Sequence, residues 1–245
     1  MKPTDKFIRK LKARRPVTDH QQSLIESLSD DLRFYEKGTD LVAIGDQPGE
    51  SLLVIDGVSC RYKDFADGRR QILEMNVPGD FIDLHAYVLD RLDHAIMVLS
   101  DCHVLHVSHE RIKDAMSDDV GLAEILWHQT IVDAAIHREW VCSLGIRSAT
   151  ERLAAFFCEL TVRLSVVGAI DGFRYPFKLS QADLSDFCGM THVHTNRVLG
   201  VMDRANLLRF RHEEVEILDW PALKEVAAFD YVYLDMPDGY ALPFE

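Results

Sequence analysis

The stretch LSQADLSDFCGMTHVHTNRVLGVMDRANLL, residues 179–208, concentrates hydrogen-bonding side chains at helical spacing. An arginine such as Arg197 can meet guanine O6 and N7 with two parallel donors, and Asn196 can pair with adenine N6 and N7 or with phosphate. Val193 offers an apolar surface suited to a thymine methyl, Thr191 and the backbone amides at the helix start suit phosphate, and His192 belongs to the same DNA-facing set. Such groups act only if a rigid element presents them outward. Ser180-x-x-Asp183 has the form of a capping box, which predicts a helix from Gln181 that buries Leu184 and Phe187. Gly189 supplies a sharp turn, and Thr191 can cap a second helix beginning at His192. On that helix Thr195, Val198, Leu199 and Met202 share the inward face, leaving His192, Val193, Asn196, Arg197 and Gly200 outside. Two short helices joined by a glycine turn form a helix-turn-helix. Residues 207–212 and 215–218 then read as a two-stranded wing, with Arg209 and Arg211 as further phosphate-binding cations.

The charge balance appears at first to oppose this reading. The 245 residues hold 27 Lys and Arg against 40 Asp and Glu, a formal net charge of -13 with pI near 5.2. Binding depends on where charge sits rather than on its sum. Residues 191–212 carry four arginines against Asp203, a local charge of +3. The acidic total therefore predicts weak nonspecific DNA binding rather than none.

The elements that must hold this unit precede it. Leu24, Ile25 and Leu28 predict a helix over 18–30. From 34 to 108 short apolar runs (52–55, 58–62, 72–75, 96–99 and 102–107) alternate with Asp56-Gly57, Asp67-Gly68 and Pro78-Gly79-Asp80, the pattern of an antiparallel sandwich. Leu122, Ile125, Leu126, Val132, Ile136, Trp140 and Leu144 then fall on one stripe of a long helix ending near Gly145. Its length, with Gln129 inside the stripe, suggests that part of it packs against a second chain; the alternative is a helix laid wholly on its own sheet. A further helix spans about 148–165.

Several function classes are excluded or disfavoured. The basic start MKPTDKFIRKLKARRP lacks the apolar core of a secretory signal and is a poor transit peptide. No apolar run approaches the roughly 20 residues needed to span a bilayer, so no membrane partner is expected. Cys60, Cys102, Cys142, Cys158 and Cys188 form no CxxC pair and read as reduced thiols of a cytoplasmic protein. No GxSxG, HExxH, phosphate-cradling loop or dinucleotide fingerprint is present, so the chain is not expected to be an enzyme. His103, His106 and His109 lie near Cys102, but a strand would turn His106 away from the other two, and no metal site is assigned to them.

A sandwich, a long helix and a winged helix-turn-helix, in that order, resemble the Crp/Fnr family of bacterial transcription regulators. The resemblance covers roughly residues 34–235 and is carried by 179–199, by REW and LG within HREWVCSLGIRSATERLAAFF, and by Pro78-Gly79-Asp80-Phe81. It implies an α+β architecture: an N-terminal antiparallel sandwich like the cyclic-nucleotide-binding jelly roll over 1–116, a dimerisation helix over 117–145, and a winged helix-turn-helix over 146–245. It further implies a homodimer on a palindromic operator in double-stranded DNA, a role compatible with contact to RNA polymerase.

The family pattern is not kept everywhere. Cyclic-nucleotide-binding members hold ribose and phosphate with a Gly-Glu motif and an Arg-Ser pair. The corresponding stretches here read Gly79-Asp80-Phe81-Ile82-Asp83-Leu84-His85 and Asp93-His94. Asp93 would repel a phosphate, so no tight cAMP or cGMP binding is expected. The resemblance places Asp83, His85, Asp93 and His94 near the effector pocket, where they could bind a cation or basic ligand or pair with one another. The oxygen-sensing branch carries clustered N-terminal cysteines, whereas the first here is Cys60, so no iron–sulfur cluster is expected. A haem- or metal-dependent sensor of this architecture and an effector-free structural dimer are the alternatives. Well-known members carry Glu where Val193 stands, so their operators do not transfer; Arg197 matches the family's base-reading arginine.

Overall fold

The computed structural model describes residues 2–28 and 31–244. It opens with α1 (Asp5–Lys12) and α2 (Asp19–Ser27). The basic opening segment is thus a helix, and it buries Phe7, Ile8 and Leu11 on one side. A reciprocal cap between Thr18 and Gln21 starts α2. The helix expected over 18–30 is present to Ser27; positions 29 and 30 lie outside the described residues.

The sandwich consists of β1 (Asp31–Tyr35), β2 (Asp40–Val42), β3 (Glu50–Asp56), β4 (Ser59–Asp64), β5 (Arg70–Asn76), β6 (Ala95–Val98) and β7 (Cys102–Ser108). One sheet has the order β1-β7-β3 and the other β2-β6-β4-β5, with every pairing antiparallel. The five expected runs are β3 to β7, while β1 and β2 are additional. Leu52, Val54, Ile82, Ile96, Val98 and Val104 fill part of the interior. The turn at Pro78-Gly79-Asp80 is tight for a specific reason. Gly79 has φ +93°, and a side chain there would meet Val167 at 3.1 Å and the Lys6 backbone at 3.2 Å. Asp80 beyond it takes Lys10 from α1 at 2.8 Å through Oδ1 and accepts from the Val77 amide through Oδ2.

Helix α3 (His109–Asp118) precedes α4 (Val120–Ile146). Asp119 separates them in an extended conformation, and its carboxylate accepts from the Leu122 amide. The long helix therefore begins at Val120 rather than 117. It also passes through Gly145, which was expected to stop it, and ends at Ile146 where Arg147 turns extended. The expected stripe is buried at all its positions but one: Leu122, Ile125, Leu126, Gln129, Val132, Ile136 and Trp140 are covered by the chain's own residues, while Leu144 is 41% exposed. A second apolar row on the opposite side lies open: Val120, Trp127 (68% exposed), Ile131 and Val141 (69% exposed).

The chain continues through α5 (Ala149–Val166), β8 (Arg174–Pro176), α6 (Gln181–Cys188), α7 (His192–Arg204), β9 (Leu208–Arg211), β10 (Glu214–Ile217) and α8 (Trp220–Ala227). The wing is three-stranded, in the order β8-β10-β9. A core shared by Trp140 of α4, Phe156 and Phe157 of α5, Tyr175, Phe187 and Trp220 joins it to both helices. Residues 228–244 then run back across the molecule. Leu234 accepts from Arg14 Nε at 2.9 Å, and Asp235 pairs with His128 of α4. No helix among the described residues is long and apolar enough to cross a membrane.

Candidate nucleic-acid interface and sensor cavity

The helix pair forms as its local sequence dictates. Ser180 accepts from the Asp183 amide while Asp183 accepts from the Ser180 amide at 2.8 Å, closing the capping box at the start of α6. Gly189 ends α6 at φ +60°, a left-handed conformation that glycine adopts at least cost. Thr191 accepts from the His194 amide and starts α7. Thr195, Val198, Leu199 and Met202 are buried as their spacing required. Ser185 Oγ also donates to Thr195 Oγ1 at 2.9 Å and locks the crossing of the two helices.

The outward face carries Thr191, His192, Val193, Asn196 and Arg197, all exposed; Val193 is 79% exposed. Arg197 has no ion-pair partner among the described residues, so its whole fork is presented to solvent. The wing arginines differ. Arg209 Nε pairs with Asp203 Oδ1 at 3.2 Å and its Nη1 with Glu216 at 3.1 Å, while Arg211 pairs with the other oxygen of Asp203. Both are expected phosphate contacts, and both are folded back onto acids in the free chain. The local excess of +3 is therefore least compensated at Arg197 and at Arg204, which is exposed and likewise without an ion pair among the described residues.

Two side chains that the sequence did not single out attach this unit to the rest. Arg152 of α5 donates to the carbonyls of Ser143, Leu144 and Arg147 at the end of α4 and to Cys188 O at the end of α6. Helix ends leave such carbonyls unpaired, so one guanidinium satisfies both ends together. Gln71 of β5 donates to Asp186 O at 3.0 Å and ties α6 to the sandwich.

Beneath these contacts lies a cavity of about 500 Å³ between the sandwich, α4, α5 and the returning segment. His85, Asp93 and His94 line it with Arg61, His137, Trp140 and Tyr233. Asp83, expected with them, does not line it: it is fully buried, with Oδ1 accepting from the Leu52 amide at 2.8 Å. Burial pushes its pKa up to about 6. Asp93 sits at the rim, where hydrogen bonds from His94 and Lys63 lower it to about 2. The position that meets phosphate in the nucleotide-binding pattern thus carries an anion already paired with its neighbours. Deeper in, Glu74 bridges Arg61 and His137. Burial alone would raise Glu74, but the two cationic partners hold it below its ordinary value.

The remaining histidines have separate partners. His103 pairs with Asp56, His106 lies between Glu50 and the Tyr35 hydroxyl, and His109 meets Ser51. Among the described residues no group of three or more His, Cys, Asp or Glu is arranged to hold a metal. Cys60, Cys102, Cys158 and Cys188 are buried and their thiols raised by burial, while Cys142 is exposed.

Known proteins share both halves of this arrangement. Residues 32–119 match the cyclic nucleotide-binding domain, and residues 151–226 match the Crp-like helix-turn-helix domain. The chain is 28% identical over 181 residues to the nitrogen fixation regulation protein FixK of Bradyrhizobium diazoefficiens, spanning 71% of this chain and 73% of the relative. It is 23% identical over 192 residues to the fumarate and nitrate reduction regulatory protein of Vibrio cholerae, spanning 78% and 76%. The solved structure of FixK2 from Bradyrhizobium japonicum superposes with a TM-score of 0.73 at 24% identity, covering 82% of this chain and 98% of that one. These relatives are regulators rather than enzymes. With a nucleotide-binding-type sandwich in front and a Crp-like helix-turn-helix behind, the chain belongs to the Crp/Fnr family of transcription regulators and carries that family's DNA-binding domain.

Proposed function

We propose that two copies pair through α4 and read a palindromic operator with two α7 helices. The observation that carries this is the open row Val120, Trp127, Ile131 and Val141 on a helix whose opposite face is already buried. Steps of seven, four and ten residues keep these side chains on one side, as a two-helix seam requires. Within α7, Arg197 and Asn196 read base edges, Val193 meets a thymine methyl, and Thr191 and His192 meet phosphate. Arg209 and Arg211 join the phosphate contacts once they exchange Asp203 and Glu216 for DNA. Residues 1–116 sense, 117–145 couple, and 146–245 read DNA, with the coupling helix itself starting at Val120. RNA polymerase is the natural further partner of a regulator so placed.

The sensor takes its signal in the cavity lined by His85, Asp93 and His94, and the signal is not a cyclic nucleotide. Asp93, lowered to about 2, would face the cyclic phosphate with a second negative charge. Selection of bound DNA from a random pool by the purified chain tests the whole reading. The expected product is an inverted repeat with half-sites about one helical turn apart. Enrichment of a single asymmetric site, or of no sequence, would reject it.

A further inference from the structure

The polar end of the cavity points to a ligand class, an inference that rests on the sensing role just proposed. Arg61, 5% exposed, gives Nη1 to Glu74. Its Nε and Nη2 are buried with no hydrogen-bond partner among the described residues. Those two nitrogens form the edge that meets a carboxylate through two parallel bonds. Buried donors are rarely left unpaired in a folded protein.

The same end holds a second unpaired atom of the opposite sense. His94, also 5% exposed, uses Nδ1 toward the Asp93 carboxylate at 2.8 Å, and its Nε2 is buried without a partner. Facing a carboxylate, Nδ1 carries the proton, and burial lowers the ring's pKa and favours the neutral form. Nε2 is then an acceptor that calls for a hydroxyl or amine. The His85 ring lies 5.6 Å away, its pKa lowered to about 4 by burial and by the Arg61 charge, so it adds no competing cation. Of the acids nearby, Glu74 is matched by Arg61 and His137. Asp133, raised to about 6 by burial and by Glu74, loses its charge in mildly acidic solution, where an anion is opposed least. Trp140, Phe156 and Phe187 also line the cavity and pack as an aromatic wall, with Phe187 4.1 Å from Trp140 and 4.7 Å from Phe156.

We propose that the cavity binds a small organic carboxylate with an apolar body and a hydroxyl, the carboxylate on the free edge of Arg61 and the hydroxyl donating to His94 Nε2. The volume of about 500 Å³ lies within the range of small-molecule sites.

Calorimetric titration of the full chain with 3-hydroxyoctanoate, octanoate, 1-octanol and inorganic phosphate tests this. The expected result is saturable binding of 3-hydroxyoctanoate below about 1 mM, at least tenfold tighter than octanol or phosphate and tighter than octanoate. Arg61→Lys keeps a charge for Glu74 but loses the two-nitrogen edge, and should weaken 3-hydroxyoctanoate at least tenfold. His94→Phe should erase the preference over octanoate. No saturable binding of either acid, equal binding of octanol or phosphate, or unchanged affinity in Arg61→Lys would overturn the assignment. If Arg61→Lys fails to fold by circular dichroism, the comparison of acid with alcohol in the parent chain decides. The DNA selection reads the regulator proposal independently. A bound acid that leaves DNA affinity unchanged would remove the sensing role and keep the ligand assignment.

Discussion

The Tyr233 hydroxyl donates to Glu159 Oε2 at 3.0 Å, joining the segment beyond the wing to α5. The same oxygen accepts from the Trp140 indole at 2.8 Å, and Glu159 Oε1 takes Arg163 at 2.9 Å. One buried carboxylate thus links α4, α5 and the returning segment. Arg163 reaches onward to Asp80 at 2.6 Å, so the chain of contacts ends in the sandwich. Removing the Tyr233 hydroxyl takes away one of three donors to a buried acid. Tyr233→Phe should lower unfolding stability by about 1.5–3 kcal/mol, read as a shift of the urea midpoint, whereas a change within error would show that the contact is not maintained in solution.

Arg197→Ala should weaken operator binding by about 1–3 kcal/mol and relax preference at one base pair in each half-site. A gel-shift series across operator variants measures both quantities. Unchanged affinity and selectivity would take Arg197 out of base reading.

Asp203→Asn should act in the opposite direction. It removes the acid that holds Arg211 and one of the two acids that hold Arg209, leaving Glu216. Contact with phosphate then no longer requires that Asp203 be given up, which strengthens the sequence-independent part of binding. Nonspecific DNA should bind more tightly at low salt, and selectivity should fall. A salt titration with unrelated DNA that superposes on that of the parent would mean the wing does not touch phosphate.

Trp127→Glu combined with Ile131→Glu should convert a dimer into a monomer, because it places four charges in the seam of two paired helices. Sedimentation equilibrium of parent and variant settles the matter. A monomeric parent, or a variant as dimeric as the parent, would place any interface elsewhere.

Asp83 gives a pH-dependent outcome. Its folded pKa, about 6, lies above the ordinary value of 3.8 because burial disfavours the charged form. The corresponding stability is full below about pH 4 and is lost as pH rises through about 6, an amount of roughly 3 kcal/mol for two pKa units. Asp83→Asn removes this loss, so the difference in urea midpoint between variant and parent should move in the variant's favour from pH 4 to pH 7.5. A difference independent of pH would show that the buried carboxyl finds a partner when ionised.

The parts that were legible in sequence are those where one residue type has one reason to be present. Gly79 and Gly189 occupy positive-φ positions, and Ser180 with Asp183 and Thr191 mark helix starts, so β5, α6 and α7 could be placed closely. Strand β1 was hidden because its residues are exposed or half-buried, leaving no alternation to detect. Helix α1 was hidden by its charge: Lys10 serves a distant acid, Asp80, and such pairing has no local signature. The open apolar row of α4 was not legible for a similar reason. The continuous stripe through Leu126 and Trp140 covers the chain's own core, while the open row around Trp127 is sparser and less regular. At the candidate site, Arg197 could be read from helix spacing. Arg152 and Arg61 could not, since their work depends on carbonyls and acids brought from remote strands and helices.

The segment returning from α8 also sets how the DNA-reading unit can move. That unit leaves the sandwich at the bend around Arg147 and is fastened again where Arg14 holds the Leu234 carbonyl and His128 holds Asp235. With Gln71 on the Asp186 carbonyl and Arg163 on Asp80, it is also held to the sandwich at further points, so it is a braced body and not a hanging one. Any displacement of α7 relative to the sandwich must break or slide several of these ties together, which makes a few discrete arrangements more natural than a continuous swing.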